Sequence, residues 1–271
     1  MMEKYIKQCH KYCIEVNTLN FLLFVTVIGL LSGIIGTGGG GLTVILVNKI
    51  WDNILGILLA FSGGIMTVVI FFDLIPEAEE AGSLLTAVVG LLLGVLFIGL
   101  LDLKFPHKHF SLVTESSGKG QKYLKTGILL CIGIALHNFP EGMAIGASFM
   151  ASRTSGITLA VLIALHNLPE GMAVATALGM AGLKNKSILM ITMLTGVPMG
   201  VGAFFGALLG GISENFLSLA LGFAGGAMLY IVYDELIPDA HKKTEGHTAI
   251  AGIIAGILVG LILIEVLHGF H

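Results

Sequence analysis

Long apolar segments separated by short polar ones dominate this chain. A helix needs ~20 mostly apolar residues to cross the hydrocarbon core of a bilayer. Eight segments meet this requirement, at about 19–47, 54–76, 83–103, 123–150, 157–179, 187–211, 216–238 and 248–268. The pattern predicts an all-α polytopic membrane protein with one transmembrane domain over residues 1–271, an N-terminal tail (1–18) and one longer polar loop (about 104–122). The first segment is too long for a signal sequence and lacks a small-residue cleavage site, so we expect it to remain a membrane helix.

Composition agrees with a membrane location. The chain is 55% hydrophobic and 11% charged, whereas soluble domains are nearer to ~25% charged. A net charge of −3 gives no sign of nucleic-acid binding, and three cysteines cannot form a disulfide framework. The expected surroundings are therefore a lipid bilayer, in which the 38 glycines favour close packing of helices.

The distribution of lysine and arginine predicts how the helices are oriented. Ten of the 14 basic residues lie in the loops between helices 1–2, 3–4, 5–6 and 7–8, and the other three loops hold only Arg153. Basic loops face the cytoplasm, so both termini are expected outside the cell. The three lysines of the N-terminal tail argue for the opposite orientation, but they are outnumbered.

Two copies of one polar motif interrupt the apolar pattern 29 residues apart. The copies, 134–144 and 163–173, differ only where Phe139 in the first is replaced by Leu168 in the second. Each contains a histidine, an asparagine and a glutamate, and ionisable groups inside a bilayer are functional by default. Since positions i and i+4 share a helix face, each glutamate lies between its histidine and its asparagine.

This duplicated motif has the chemistry of a metal site. Facing each other, the two copies offer two nitrogen and two carboxylate ligands, whose charge of −2 balances a divalent cation. Such ligands suit Zn²⁺, and Fe²⁺, Mn²⁺, Co²⁺ and Cd²⁺ are alternatives. Each glutamate can also bridge to a second ion held by the asparagines. Pro140 and Pro169 free the carbonyl groups of Leu136 and Leu165, which we expect to face a cavity. The competing interpretation is that histidine and glutamate only hold the bundle together, and the intact duplication argues against it.

A second internal repeat has an offset of 162 residues. Positions 61–66 resemble 223–228, and positions 73–78 resemble 235–240. The repeat pairs helix 2 with helix 7, while the motif pairs helix 4 with helix 5, and the members of each pair run in opposite directions in the predicted topology. The pattern therefore predicts an inverted repeat, helices 1–3 against helices 6–8, around a central pair. Inverted repeats with a site at the midplane are typical of transporters.

Together, the His-Asn-x-Pro-Glu-Gly motif of helix 4, its copy on helix 5, eight helices and a histidine-containing loop 3–4 resemble the ZIP (Zrt-, Irt-like protein) family of divalent metal transporters, in particular its bacterial zinc-uptake branch. The resemblance implies a 3+2+3 helix arrangement, metal uptake across the cell membrane, and metal ligands at His137, Asn138, Glu141, His166, Asn167 and Glu170. One position departs from the family pattern. Bacterial members often carry a glutamate before the Pro-x-Gly of helix 6, where this chain has Val197, so the first metal position is expected and the second is in doubt.

Further polar and sulfur-containing residues are weaker candidates. The proposed pathway residues are Met66, Asp73, Glu77, Met228, Glu235, Asp239 and His241, with Asp102 as a further acidic candidate. His107 and His109 in loop 3–4 are candidates for sensing cytosolic metal, and Cys9, His10 and Cys13 are a minor candidate in the tail. Glu265 and His268 are expected to form an interfacial pair. The glycine run 36–41 lacks the ending of a phosphate loop and predicts close helix packing or a local helix break.

Two other functions compete with metal uptake. An intramembrane metal-dependent hydrolase needs an open metal position and a general base, but the chain has no His-Glu-x-x-His. A metal exporter has the same sequence symmetry, and only the family resemblance favours import. The sequence contains no ATP-binding motif, which indicates that an ion gradient or a coupled proton drives transport. It leaves open the physiological metal and whether two copies form a homodimer.

Overall fold

The computed structural model describes residues 2–47, 52–104 and 119–268, in which every regular element is helical. The helices are α1 (Met2–Val47), α2 (Asp52–Val69), α3 (Ile75–Ala81), α4 (Leu84–Lys104), α5 (Lys119–Ala151), α6 (Arg153–Met180), α7 (Asn185–Thr195), α8 (Val197–Gly210), α9 (Glu214–Ile231), α10 (Ile237–Lys243) and α11 (Thr248–His268). Two short π-helical segments join α2 to α3 and α9 to α10. His107 and His109 lie outside the described residues.

Each of the eight predicted segments corresponds to one of these helices or to two that are joined end to end. In the described part of the chain, seven stretches are long and apolar enough to cross a membrane. The remaining segment, 123–150, belongs to the 33-residue helix α5, which at ~1.5 Å per residue exceeds the ~30 Å hydrocarbon core. The prediction of an all-helical, multi-pass membrane protein is therefore confirmed. The predicted tail is not separate from the first membrane helix, because α1 begins at Met2; the side chains of Cys9 and Cys13 lie outside the described part.

The two π-helical segments, Ile70–Leu74 and Val232–Leu236, interrupt α2–α3 and α9–α10 at the same offset of 162 residues as the sequence repeat. In each, the first residue of the following helix donates its N–H to a carbonyl five positions back, from Ile75 to Ile70 and from Ile237 to Val232. A proline comes next in both copies and removes a donor for the preceding turn. Such wide turns are frequent at functional sites, and these two carry Asp73 and Glu235.

Burial separates central from peripheral helices. In the most apolar window of the spans formed by α2–α3, α6 and α9–α10, 67% of the residues are buried, compared with 22% in α4 and α11. The outer helices expose leucines such as Leu85 and Leu92, which is the expected surface towards lipid tails. The centre of the bundle is therefore built from the helices that carry the second motif copy and both π-helical segments, with α5 packed against α6.

Four helix pairs make the most extensive contacts: α1 with α6, α5 with α8, α4 with α9, and α2 with α11. Glycines allow each close approach. A Cβ atom at Gly40, Gly142, Gly94 or Gly256 would overlap a backbone carbonyl oxygen of the facing helix. Small residues at such contacts are the usual basis of helix association in membranes. The run 36–41 lies within the unbroken α1, so the expectation of close packing is confirmed and a helix break is excluded.

Candidate metal site

Both motif copies lie on neighbouring helices, the first on α5 and the second on α6. Each helix continues through its internal proline, Pro140 or Pro169. The six motif side chains are all buried, with exposed fractions between 0 and 6%. Since ionisable groups without partners are costly in an apolar interior, their arrangement indicates a binding function.

Three of these side chains form a cluster at the interface between α5 and α6. One ligand atom each of Glu141, His166 and Glu170 lies within 4.8 Å of the other two. His166 Nε2 lies 3.2 Å from Glu141 Oε1. We call these three residues the central cluster. One imidazole and two carboxylates form a ligand set that suits Zn²⁺.

Several acceptor atoms in and beside the central cluster are buried without a hydrogen-bond partner in the described part of the chain. They are both carboxylate oxygens of Glu170 and Oδ1 of Asn167. Buried polar atoms are normally paired, and leaving one unpaired is costly. A cation bound among these atoms would offset that cost.

The two asparagines form a chain of hydrogen bonds that ends on the central cluster. Asn138 Nδ2 donates to the carbonyl oxygen of Thr195 over 2.7 Å. Asn167 Nδ2 lies 3.1 Å from Asn138 Oδ1 and 3.3 Å from Glu141 Oε2, and donates to both. Thr195 is the last residue of α7, and only Gly196 separates it from α8. These hydrogen bonds therefore connect the joint between α7 and α8 to α5 and α6.

His137 has a different principal partner from His166. Its Nε2 atom lies 3.4 Å from Glu235 Oε1, on the second π-helical segment. Glu235 in turn lies within a group of three partly buried carboxylates, with Asp102 and Asp234. One oxygen atom of each lies within 4.8 Å of one oxygen atom of the other two. Tyr230 donates its hydroxyl hydrogen to Asp102 Oδ2 over 3.2 Å. We call Asp102, Asp234 and Glu235 the acidic cluster.

The other predicted pathway residues are dispersed. Met66 and Met228 are completely buried, and Asp73 is buried in the first π-helical segment, with Glu77 partly buried one turn later. In α10, the carboxylate of Asp239 forms an ion pair with Lys242 at 2.7 Å. The exposed His241 places Nδ1 2.9 Å from the Ile237 carbonyl oxygen. Glu265 is exposed on α11, and the side chain of His268 lies outside the described part.

Three residues that touch the site were not predicted from the sequence. Asp234 belongs to the acidic cluster, but its mate in the 162-residue repeat is Phe72, so the repeat gives no signal for it. Ser62 Oγ donates to the carbonyl oxygen of His166 over 2.8 Å, and such a contact between helices has no sequence signature. Thr195 had no direct signal either, because in an α-helix Pro198 leaves the carbonyl of Leu194 without a donor, and not that of Thr195.

Val197 begins α8, directly after the joint at Gly196. It is partly buried and lies two residues beyond the Thr195 carbonyl that binds Asn138. Val197 is therefore close along the chain to the carbonyl that binds Asn138, and its hydrophobic side chain supplies no metal ligand.

Comparison with known proteins gives a consistent result over most of the chain. The family described as "ZIP Zinc transporter" matches residues 104–267, a region that includes both motif copies and the second π-helical segment.

Similar proteins match over greater lengths. Zinc transporter ZupT of Chlorobium limicola is 37% identical over 251 residues, covering 84% of this chain and 92% of the relative. ZupT of Chlorobium chlorochromatii is 32% identical over 257 residues, covering 88% and 95%. Zinc transporter GufA of Myxococcus xanthus is 34% identical over 186 residues, covering 68% and 72%.

Proposed function

This chain belongs to the ZIP family of zinc transporters, and on that premise we propose that it carries Zn²⁺ into the cytoplasm through the central cluster. It is a multi-pass membrane transporter of divalent metal and not an enzyme, as its relatives indicate. The observation that carries the proposed site is the meeting of Glu141, His166 and Glu170 within 4.8 Å of one another in a fully buried position.

Ligand chemistry supports Zn²⁺ at this position. Two carboxylates and one neutral imidazole neutralise the divalent charge and provide three of the four ligands that Zn²⁺ usually takes. The unpartnered Oδ1 atom of Asn167 adds an oxygen beside the cluster. Fe²⁺, Mn²⁺, Co²⁺ and Cd²⁺ accept the same donor types and are proposed as competing substrates.

A route away from the central cluster passes through His137. This imidazole lies on the same helix as Glu141 and contacts Glu235, which belongs to the acidic cluster. In the proposed orientation the acidic cluster lies towards the cytoplasm, because Asp102 is near the end of α4 that leads into the basic loop 104–122. The ion would therefore move from three buried ligands to a histidine–carboxylate pair, and then to partly exposed carboxylates that release it more readily.

We extend the proposal to the 3+2+3 architecture with an inverted repeat and both termini outside. The eight membrane helices correspond in order to α1, α2–α3, α4, α5, α6, α7–α8, α9–α10 and α11. The proposed symmetry exchanges membrane helices 1–3 with 6–8, and membrane helix 4 with 5. Under this exchange the α1–α6 contact becomes the α8–α5 contact, and the α4–α9 contact becomes the α11–α2 contact. All four contacts are among the most extensive in the structure. The matching π-helical segments support the same exchange. A midplane site between such repeats suits alternating access from the two sides.

Transport in purified form tests this function. The protein is reconstituted into sealed vesicles containing a fluorescent zinc indicator, and Zn²⁺ is added outside under an imposed ion or proton gradient. We expect uptake by the wild type and loss of uptake in Glu170→Ala, with Glu265→Ala as the control, because Glu265 is exposed on α11. Zinc movement only out of the cell in oriented membranes would favour the exporter. Equal uptake by Glu170→Ala and Glu265→Ala would contradict the proposed metal site.

A further inference from the structure

At the joint between α7 and α8, the backbone carbonyl of Thr195 lacks its usual helical donor. In a continuous helix, the N–H of Met199 would bond to Thr195, but it donates to Gly196 at 3.2 Å instead. Pro198 has no N–H to offer. The Thr195 carbonyl oxygen is therefore available, and the amide of Asn138 is its donor at 2.7 Å.

The position of this carbonyl is fixed by packing on both sides. A Cβ atom at Gly196 would overlap the backbone of Gly33 in α1, and a Cβ at Gly33 would overlap the Gly196 carbonyl oxygen. The side chain of Thr195 is buried, and its hydroxyl donates to the Thr192 carbonyl at 2.6 Å. The joint therefore presents a rigid acceptor to α5.

A rigid carbonyl determines how both asparagine amides are oriented. Because a carbonyl only accepts, the NH₂ of Asn138 must face Thr195, and its oxygen must then face Asn167. The NH₂ of Asn167 consequently faces two acceptors, Asn138 Oδ1 and Glu141 Oε2, at 3.1 and 3.3 Å. Of the side-chain nitrogen and oxygen atoms of these two asparagines, only Oδ1 of Asn167 has no partner among the described residues.

From this geometry, and resting on the proposed function, we infer that Asn138 is a positioning residue and not a metal ligand: it connects the α7–α8 joint through Asn167 to the Glu141 carboxylate and orients a single ion position. Its oxygen is already an acceptor for Asn167. The oxygen of Asn167 is the amide oxygen that contributes to this ion position. Val197 fits the same arrangement, since it supplies no carboxylate that would hold a second ion near Asn138.

Asn138→Asp distinguishes a positioning residue from a ligand. If Asn138 bound the metal, a carboxylate would be the better ligand and would tighten Zn²⁺ binding. If Asn138 instead donates to Thr195, an aspartate at this position faces the Thr195 carbonyl without a hydrogen to donate. The carboxylate must then reorient, which changes the hydrogen bond that Asn167 donates to it. We expect Asn138→Asp to weaken Zn²⁺ binding at least as much as Asn138→Ala, by about fivefold or more, which corresponds to one lost hydrogen bond. The control is Asn185→Asp, an exposed position at the start of α7, which should leave binding unchanged.

Calorimetric titration of the full-length protein with Zn²⁺ measures both affinity and stoichiometry. One ion per wild-type chain with weaker binding by Asn138→Asp supports the inference, whereas tighter binding by Asn138→Asp overturns it. A wild type that binds no Zn²⁺ contradicts the proposed function itself and is thus distinguishable.

A second measurement does not depend on a variant that folds. Anomalous scattering from Cd²⁺-loaded wild-type crystals locates the ion directly. We expect Cd²⁺ beside Glu141, His166 and Glu170, with the Asn138 amide still bonded to Thr195. An ion bound directly to the oxygen of Asn138 overturns the inference.

Discussion

The imidazole of His137 lies 3.4 Å from the carboxylate of Glu235, so the first motif copy reaches the second π-helical segment, while His166 of the second copy lies 3.2 Å from Glu141. Two histidines that are equivalent in sequence therefore occupy different positions relative to the central cluster. In the proposed function, this asymmetry assigns binding to one histidine and onward movement of the ion to the other, which can be tested one histidine at a time.

The two histidines are predicted to differ in their effect on metal binding. His166→Ala removes a ligand of the central cluster, and we expect Zn²⁺ affinity to fall by more than the ~10–100-fold typical of outer-shell changes. His137→Ala should nearly abolish transport but leave most of the binding affinity. Calorimetry and vesicle uptake on the same preparations measure the two effects. Equal losses of affinity in both variants would place His137 among the primary ligands.

Glu235 is predicted to govern the rate of transport. Glu235→Gln keeps the shape of the side chain but removes the charge beside His137, so an ion leaving the central cluster meets a weaker next site. We expect the maximal uptake rate to fall about tenfold, the change associated with ~1.4 kcal/mol, with Zn²⁺ affinity nearly unchanged. Glu245→Gln is the control, because Glu245 is exposed just after α10 and is not a proposed pathway residue. A rate loss as large in the control would point to a general effect of removing negative charge near α10.

The sequence predicted the helices and the two motifs because both are local. Apolar segments of ~20 residues identify membrane helices, and the i,i+4 spacing places histidine and glutamate of one copy on one helix face. Which atoms meet between helices depends on how the helices rotate and shift against each other. The cross-helix pairs Glu141–His166 and His137–Glu235 therefore could not be obtained from spacing within one copy.

Breaks in the helices were equally difficult to foresee. The segments 54–76, 187–211 and 216–238 were each predicted as one helix, but each contains an interruption. Two of these interruptions carry acidic groups, and the third exposes the Thr195 carbonyl. Pro76, Pro198 and Pro238 lie just after them, and proline marks where a helix changes without specifying whether the change is a π-helical turn or a joint.

Close helix packing predicts opposite effects for two glycines on α6. A Cβ atom at Gly171 would overlap the Thr37 carbonyl in α1, whereas a Cβ at Gly179 has only Ile188 near it, at 3.9 Å. We expect Gly171→Ala to destabilise the protein by about 1–3 kcal/mol through overpacking. Gly179→Ala should be neutral or stabilise it by up to ~1 kcal/mol, because alanine favours helix. Thermal unfolding in detergent compares them, and equal melting temperatures would contradict the packing of α1 against α6.

The orientation is predicted to place loop 2–3 outside the cell and loop 5–6 inside. Glu80 and Lys186 are exposed residues of the structure near these two loops. In a background without Cys9, Cys13 and Cys131, a cysteine replacing Glu80 should react with a membrane-impermeant thiol reagent on intact cells. One replacing Lys186 should react only after the membrane is opened. The reverse pattern would invert the proposed topology and with it the direction from the central to the acidic cluster.

Val197→Glu is predicted to create a second ion position. Val197 begins α8 next to the Thr195 carbonyl and the asparagine chain, where the introduced carboxylate would share an ion with the glutamates of the central cluster. The added negative charge compensates a second divalent cation, which a neutral amide alone holds poorly. We expect two Zn²⁺ per chain in this variant and one in the wild type. Tighter binding slows release, so the maximal uptake rate should fall while half-saturation occurs at lower Zn²⁺.

The control for this prediction is Val201→Glu, one helical turn later on α8, where the side chain is 48% exposed. A carboxylate there adds the same charge but lies on the exposed face of α8, and it should leave the stoichiometry at one. Metal content measured by titration and by anomalous scattering decides between the two. Two ions in the wild type would show that a valine at position 197 does not remove the second position. One ion in Val197→Glu would show that the joint does not bring this side chain to the metal site.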